Sequence, residues 1–237
     1  MTFAQFSRAA ALSRQEIYRA IYAEHGSSIK AKKEKTALKN LELIFEATLK
    51  ISNRKGFPAM TMRDLSKETG LSLGVLYHYF ASKHELLEMV QRTGRSIVGR
   101  ILREAVARRK EPAARLRSVI QTHLFLSEAM RPWFYFSYME IRHLDEAEKE
   151  RTKAAELWSE KLLADIINEG QAAGVFAPGD GQLLAASIKA LLHDWYVKRG
   201  KYAKRGYSVD QYANFVMGLV DRYCLAGNKR SPARQEG

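Results

Sequence analysis

The chain has a single cysteine, Cys224, in 237 residues. It cannot close an internal disulfide, so a cystine-stapled framework is excluded and a reducing cytoplasm is the expected compartment. Cys224 lies on an apolar helical face, which predicts buried packing. No stretch approaches the ~20 apolar residues of a membrane span. Phe3 and Phe6 are followed by polar and charged residues, not by the continuous apolar core of a signal peptide. Strand-like alternation is missing throughout. So are a glycine-rich phosphate loop, an HExxH pair and a nucleophile elbow. Glu140 and His143 have the Glu-x-x-His spacing of di-iron bundles, but no second copy accompanies them. His193 and Asp194 are neighbours and point in different directions on a helix, unlike a catalytic pair. The expectation is an all-α, soluble, non-enzymatic protein with no cofactor and no membrane association.

Acidic residues are scarce at one end. Residues 1–110 hold 21 Lys and Arg against 10 Asp and Glu, whereas residues 111–237 hold 18 against 16. Nearly all of the +13 excess therefore lies in the first half. A surface that displaces counterions from nucleic-acid phosphates needs such a bias.

Helical periodicity fills the rest. Ser13 with Glu16 forms a capping box ahead of Ile17, Tyr18, Ile21 and Tyr22, and the basic run Lys30, Lys32, Lys33, Lys35 follows. The next helix carries Leu38, Leu41, Ile44, Phe45, Thr48 and Ile51 and stops at Gly56 and Pro58. Ser82 caps a long helix through Val106. Arg108 to Pro112 is polar and proline-closed, a domain-junction candidate. Further helices are predicted over about 113–129, 146–172, 181–198 and 208–226, with an aromatic segment over 132–142. The division predicted is an N-terminal extension with an amphipathic helix (1–30), a small basic domain (31–84), a larger helical domain (85–226) and a flexible tail (227–237). The extension reads as packing on the body, or through its lysines as a basic arm.

The segment from Thr61 to Lys83 carries the sharpest signal. Thr61 and Asp64 have capping-box spacing, Met62 and Leu65 give an apolar face, and Gly70 breaks the helix. Ser72 re-caps the chain, and Leu73, Leu76 and Phe80 recur at helical spacing. Two short helices about a glycine turn form a helix-turn-helix, whose second helix enters the DNA major groove. Small Ser72 and Gly74 allow approach to base edges. His78 can bond a base or phosphate, and Tyr77 and Tyr79 can place hydroxyls on phosphates. Thr61, Arg63 and Lys83 stand where helix starts can grip phosphates. Leu65, Leu71, Leu76 and Phe80 are assigned to packing, which is also the alternative role of Tyr79.

The order Gly56-Phe57, Thr61-Met62-Arg63-Asp64-Leu65, Gly70-Leu71-Ser72, Leu76-Tyr77-His78-Tyr79-Phe80, Ser82-Lys83 and Glu85-Leu86-Leu87 resembles the tetracycline-repressor (TetR) family of bacterial transcriptional regulators. The resemblance implies a three-helix DNA-binding domain followed by a helical domain for a ligand and for dimerisation. It implies operator DNA, a small-molecule effector and a second copy of the chain as partners. About 30 residues precede the first helix of the DNA-binding domain, a departure from the simplest family pattern.

The second half offers Trp133, Phe134, Tyr135, Phe136 and Tyr138 in a short window, with Trp158, Phe176, Trp195 and Tyr196 beyond. Such rings suit either an apolar pocket or a core. Polar handles are His123, Glu140, Arg142, His193 and Asp194, and the ligand-binding choice is Tyr138, His193 and Trp195. Lys198 to Arg205 holds five cations in eight residues, a solvated loop or a seat for the phosphates of an acyl-coenzyme A. Leu183, Leu184, Leu191, Leu192 and Trp195, with Tyr212, Phe215, Val216, Leu219, Val220 and Tyr223, predict a dimer interface. The expected function is a repressor that a partly apolar effector, an acyl-coenzyme A or an aromatic compound, releases from a palindromic operator. A DNA-scaffolded interaction factor without an effector is the alternative.

Overall fold

The computed structural model describes residues 1–9, 19, 22 and 34–225. The Ser13–Glu16 box, most of the lysine run before Glu34 and the tail from 227 lie outside the described residues. Among the described residues there is no strand, and the protein is all-α. The helices are α1 (Glu34–Lys55), α2 (Met62–Thr69), α3 (Leu73–Leu76), α4 (Lys83–Ala107), α5 (Pro112–Ala129), α6 (Arg131–Glu140), α7 (Glu146–Ala172), α8 (Gly181–Val197), α9 (Arg199–Lys204) and α10 (Val209–Leu225). A 3₁₀ turn, Ile141–His143, links α6 to the loop before α7. A further helical segment at residues 3–9 buries Phe6.

The chain divides into two compact units, residues 1–97 with 130–153, and residues 98–129 with 154–237. The division falls inside α4 and inside α7, not at 84/85 or at the Arg108–Pro112 turn. A polar, proline-closed turn marks where a helix ends. It does not mark where packing partners change.

In the first unit α1 buries Ala37, Leu41, Ile44, Phe45, Thr48 and Ile51, a stripe at steps of three and four. Gly56 ends it with φ 82° and donates its N–H to Ser52 O at 2.7 Å, a conformation that a Cβ would strain. One side of α1 receives α2, and α1 also packs on α6. The aromatic segment therefore belongs to the helix-turn-helix unit. Trp133, Phe134 and Phe136 are buried there. The Phe57 ring meets Phe136 edge-on at 6.0 Å, and Asn53 Nδ2 donates to Pro132 O at 2.7 Å. Trp133 lies against Gly94 of α4 and donates its indole N–H to Val90 O at 3.1 Å.

In the second unit α5 is buried continuously from Thr122 to Ser127, as a helix enclosed on all sides must be. Both α8 and α10 pack on it. Phe176 folds back over Gly170, and Ala177 N–H donates to Cys224 O at 2.7 Å. Cys224 is buried, and burial lifts its thiol to about 11. It is a packing residue with little thiolate at neutral pH.

Gly94 exists for the indole. A Cβ there would stand 1.8 Å from Trp133 Cε2, and the hydrogen bond to Val90 leaves the ring little room to retreat. Gly94→Ala is expected to lower unfolding free energy by about 2–3 kcal/mol through overpacking, despite the ~1 kcal/mol that alanine contributes to helix propensity. A urea midpoint that rises would contradict this.

Candidate nucleic-acid interface

The local chemistry of the helix-turn-helix follows its caps. Thr61 Oγ1 accepts from Asp64 N at 3.1 Å, and Asp64 Oδ2 accepts from Thr61 N at 2.7 Å, a complete capping box. Lys55 adds an ion pair to the same carboxylate at 2.6 Å. The hydrogen bonds from Lys55 and then Thr61 hold the Asp64 carboxyl well below the usual range. Gly70 closes α2 at φ 72°, donating to Ser66 O. Ser72 then caps α3, its Oγ accepting from Val75 N at 3.3 Å.

Regular helix in α3 covers only Leu73–Leu76. The coil nevertheless continues. His78 N donates to Val75 O at 3.1 Å and Tyr79 N to Leu76 O at 3.0 Å, so the last turn tightens to i→i+3 bonding. Leu76 and Phe80 are buried below it, while Leu73 is exposed.

The structure sorts the eight residues singled out by sequence. Ser72, Gly74, Tyr77 and His78 form an exposed row along α3 and its last turn. The Tyr77 hydroxyl and the His78 imidazole have no hydrogen-bond partner among the described residues. A Cβ on Gly74 would approach nothing nearer than Ser72 Oγ at 3.9 Å, so internal packing does not require glycine there. Arg63 is exposed on the first turn of α2 and makes no ion pair among the described residues. Thr61 has its hydroxyl and N–H engaged in the cap.

Two residues stand elsewhere than expected. Tyr79 is 5% exposed, and its hydroxyl accepts from Asn40 Nδ2 at 3.0 Å. One residue past His78, the helical turn has rotated it into the core, and it is corrected from contact to packing. The Lys83 ammonium donates to Pro58 O at 2.9 Å and Met60 O at 2.8 Å, and lies 4.7 Å from the centre of the Phe57 ring. Burial lowers its pKa, with Glu140 opposing. Two carbonyls hold that side chain in this structure.

Sequence reasoning missed how many cations serve the fold. Lys50 pairs with Glu68 as Lys55 does with Asp64, joining α1 to α2. Glu140 is buried and accepts from Phe57 N at 3.1 Å, which makes it a clamp of this unit and not an effector handle. Local sequence gave no signal for either, since the partners are as much as 83 positions apart.

The ligand candidates separate as well. Tyr138 is exposed and belongs to the first unit, whereas His193 and Trp195 belong to the second. Trp195 is fully buried, stacked at 4.8 Å on Tyr212 and 5.1 Å on Tyr202, with its indole N–H on Glu128 Oε2 at 3.1 Å. It is a core ring. Arg199 grips the same Glu128 with two nitrogens, and Lys198 and Lys201 pair with Asp194. Of the five cations in the basic stretch, only Lys204 and Arg205 are exposed without an acidic partner among the described residues.

His193 instead joins a buried polar group. Lys189, one turn earlier on α8, is 5% exposed and donates to Ser159 Oγ at 2.9 Å. Burial lowers Lys189 to about 8, against the pull of Glu156 and Glu160. Burial, then Lys189, lowers His193 to about 4, so its imidazole is neutral at pH 7 and 3.2 Å from Glu156 Oε1. Burial also holds His123 of α5 well below its usual range, with Lys189 and His193 adding to the effect. A lone lysine inside the apolar run of α8 was the available sequence signal.

Comparison with known proteins matches this arrangement in both units. The model for bacterial regulatory proteins of the tetR family covers residues 44–90, and the tetracyclin repressor-like C-terminal domain covers residues 109–220. The HTH-type transcriptional regulator HbdR of Aromatoleum sp. (strain CIB) is 20% identical over 191 residues, 81% of this chain and 83% of that protein. With other curated regulators the match covers 98 residues, about half their length. The TetR-family regulator PfmR of Thermus thermophilus superposes with a TM-score of 0.65 at 25% identity, covering 79% of this chain and 99% of that one. FadR of Bacillus subtilis, solved with stearoyl-CoA, gives 0.62 at 18%, covering 79% and 98%. No described helix is long and apolar enough to cross a membrane. The helix-turn-helix head and the helical second unit together make this chain a member of the TetR family of transcriptional regulators.

Proposed function

We propose that the protein is a repressor that binds a palindromic operator as a homodimer and leaves it when a small, partly apolar effector enters the second unit. The observation that carries the reading is the exposed row Ser72, Gly74, Tyr77 and His78. None of the four packs into the core, and two polar tips have no partner among the described residues. Tyr77 and His78 reach base edges or phosphates, Ser72 and Gly74 permit the close approach, and Arg63 neutralises a phosphate. Thr61 and Lys83 serve through the starts of α2 and α4, whose first N–H groups lack helical partners. Their side chains hold the head in shape.

Selection from a random-sequence DNA library is expected to return a palindrome with half-sites about 34–36 Å apart. On that site Tyr77→Ala and His78→Ala each weaken binding about tenfold, the lower range of a lost base contact. Tyr79→Phe leaves DNA affinity unchanged and lowers stability by about 1 kcal/mol. Loss of affinity in Tyr79→Phe with none in His78→Ala would sink the assignment.

The dimer reading rests on an exposed apolar stripe. Phe215, Leu219 and Tyr223 recur every four residues on α10 and are 65%, 47% and 60% exposed, and Leu183 on α8 is 65% exposed. A monomer seldom leaves such a row in water. Phe215→Glu with Leu219→Glu is expected to give a monomer by sedimentation and to abolish operator binding.

The effector reading rests on the Lys189, His123 and His193 group in the core of the second unit. An acyl-coenzyme A or an aromatic compound is the class we favour, and stearoyl-CoA, bound by FadR, is the first probe. It should release DNA from the wild type. Lys189 also has a signature without ligand. Its folded pKa of about 8 lies below the ordinary 10.5. The unfolded chain thus holds more protons between those values, and stability must rise as pH rises through that window. Lys189→Met is expected to flatten that rise in urea titrations, and an unchanged slope would remove the buried cation from the account.

A further inference from the structure

His84 and Glu88 stand one turn apart at the start of α4 and share a helix face. Asp145, in the loop before α7, completes a triangle with them inside the first unit. His84 Nε2 lies 3.2 Å from Glu88 Oε1 and 3.8 Å from Asp145 Oδ2. One atom from each residue fits within a mutual 4.8 Å. No residue of this group belongs to the α2–α3 row or to the polar group of the second unit.

We propose that His84, Glu88 and Asp145 form a binding site for a divalent transition-metal ion, with zinc the natural occupant, which joins the start of α4 to the start of α7. Zinc held at 2.0–2.2 Å by nitrogen and oxygen places its donors about 3.3–3.6 Å apart in a tetrahedron. The two measured separations bracket that edge length. One imidazole and two carboxylates leave a fourth position for water. The imidazole favours a first-row transition metal over magnesium or calcium.

The surroundings fix the ligands. Asp145 divides its two oxygens: Oδ1 accepts from Glu148 N at 2.7 Å and caps α7, which leaves Oδ2 toward His84. Glu148 itself is held by Arg95 at 2.5 Å and by Arg151. Such outer contacts orient first ligands in metal sites. The two carboxylates also approach each other. One oxygen of each lies within 4.8 Å of the other and of the His84 imidazole nitrogen. A divalent cation among the three would take one oxygen from each carboxylate and the imidazole nitrogen.

The test uses the full chain, stripped with chelator and dialysed against zinc chloride, with metal counted by atomic spectroscopy. One equivalent per chain is expected, together with a tetrahedral cobalt(II) absorption band on substitution. The metal should raise the melting temperature of the wild type. His84→Ala should retain less than a tenth of an equivalent and show no zinc-dependent rise. Glu88→Gln should weaken retention at least tenfold, and Asp145→Asn, which keeps a helix cap, should do the same. All three side chains are at the surface or half-buried, and circular dichroism without metal checks their fold. No retention by the wild type, or equal retention by His84→Ala, overturns the proposal.

Discussion

The turn from Gly56 to Met60 is the constraint on which the DNA-binding head depends. It is gripped from three directions: Gly56 bonds back to α1, Phe57 N–H is taken by buried Glu140, and Lys83 bonds the carbonyls of Pro58 and Met60. Phe57 then lies between the Lys83 ammonium and the Phe136 edge. A buried carboxylate is costly unless hydrogen-bonded. Here the cost is offset by an amide donor and by the nearby Lys83 charge, which Glu140 in turn supports. The direction in which the chain enters α2 follows from this turn. So does the direction in which α3 presents Tyr77 and His78.

This constraint alters what the net charge means. A basic first half suggests a surface of free cations, but Lys50, Lys55 and Lys83 are committed to Glu68, Asp64 and two carbonyls. Arg95 and Arg151 hold Glu148. The cations left in the open on α1 and α2 include Arg54, Arg63 and Lys67. Long-range attraction to DNA still follows from the sum. The row proposed for specific contact is short and polar on an otherwise apolar helix, and it contains no cation.

How much was legible depended on how local the cause was. The capping box at Thr61–Asp64, the glycine stop at Gly70 and the stripe on α1 are written in neighbours at fixed spacing, and each stands where periodicity put it. The aromatic window at 133–138 was legible as rings for a pocket or a core; Trp133, Phe134 and Phe136 are buried and Tyr138 is exposed, and which unit they serve was not legible. That depends on Gly94 lacking a side chain and on Asn53 reaching Pro132, contacts of 39 and 79 positions. Tyr79 failed for a smaller reason. One residue along a helix is about 100°, enough to take a ring from the groove face to the core. Trp195 shows the same limit, since an aromatic next to polar residues looks the same in sequence whether it lines a cavity or stacks on Tyr202 and Tyr212.

What remains is how an event in the second unit is felt by the row on α3. Allostery requires an element with two arrangements that both sites bias. Here α4 is the covalent candidate, since its residues 83–97 belong to the first unit and 98–107 to the second. Its first residue, Lys83, is bonded to the turn that sets the head, and at that end the helix can move only if the turn moves or those bonds break. A displacement of α4 would therefore shift the head as a body and leave its internal geometry intact. In the proposed dimer this would change the separation of the two α3 rows while each row kept its fit to its half-site. On the proposed repressor reading the linkage would act on the palindrome and not on the single half-site, and an effector that favours the displaced α4 would lower operator affinity by its preference for that state.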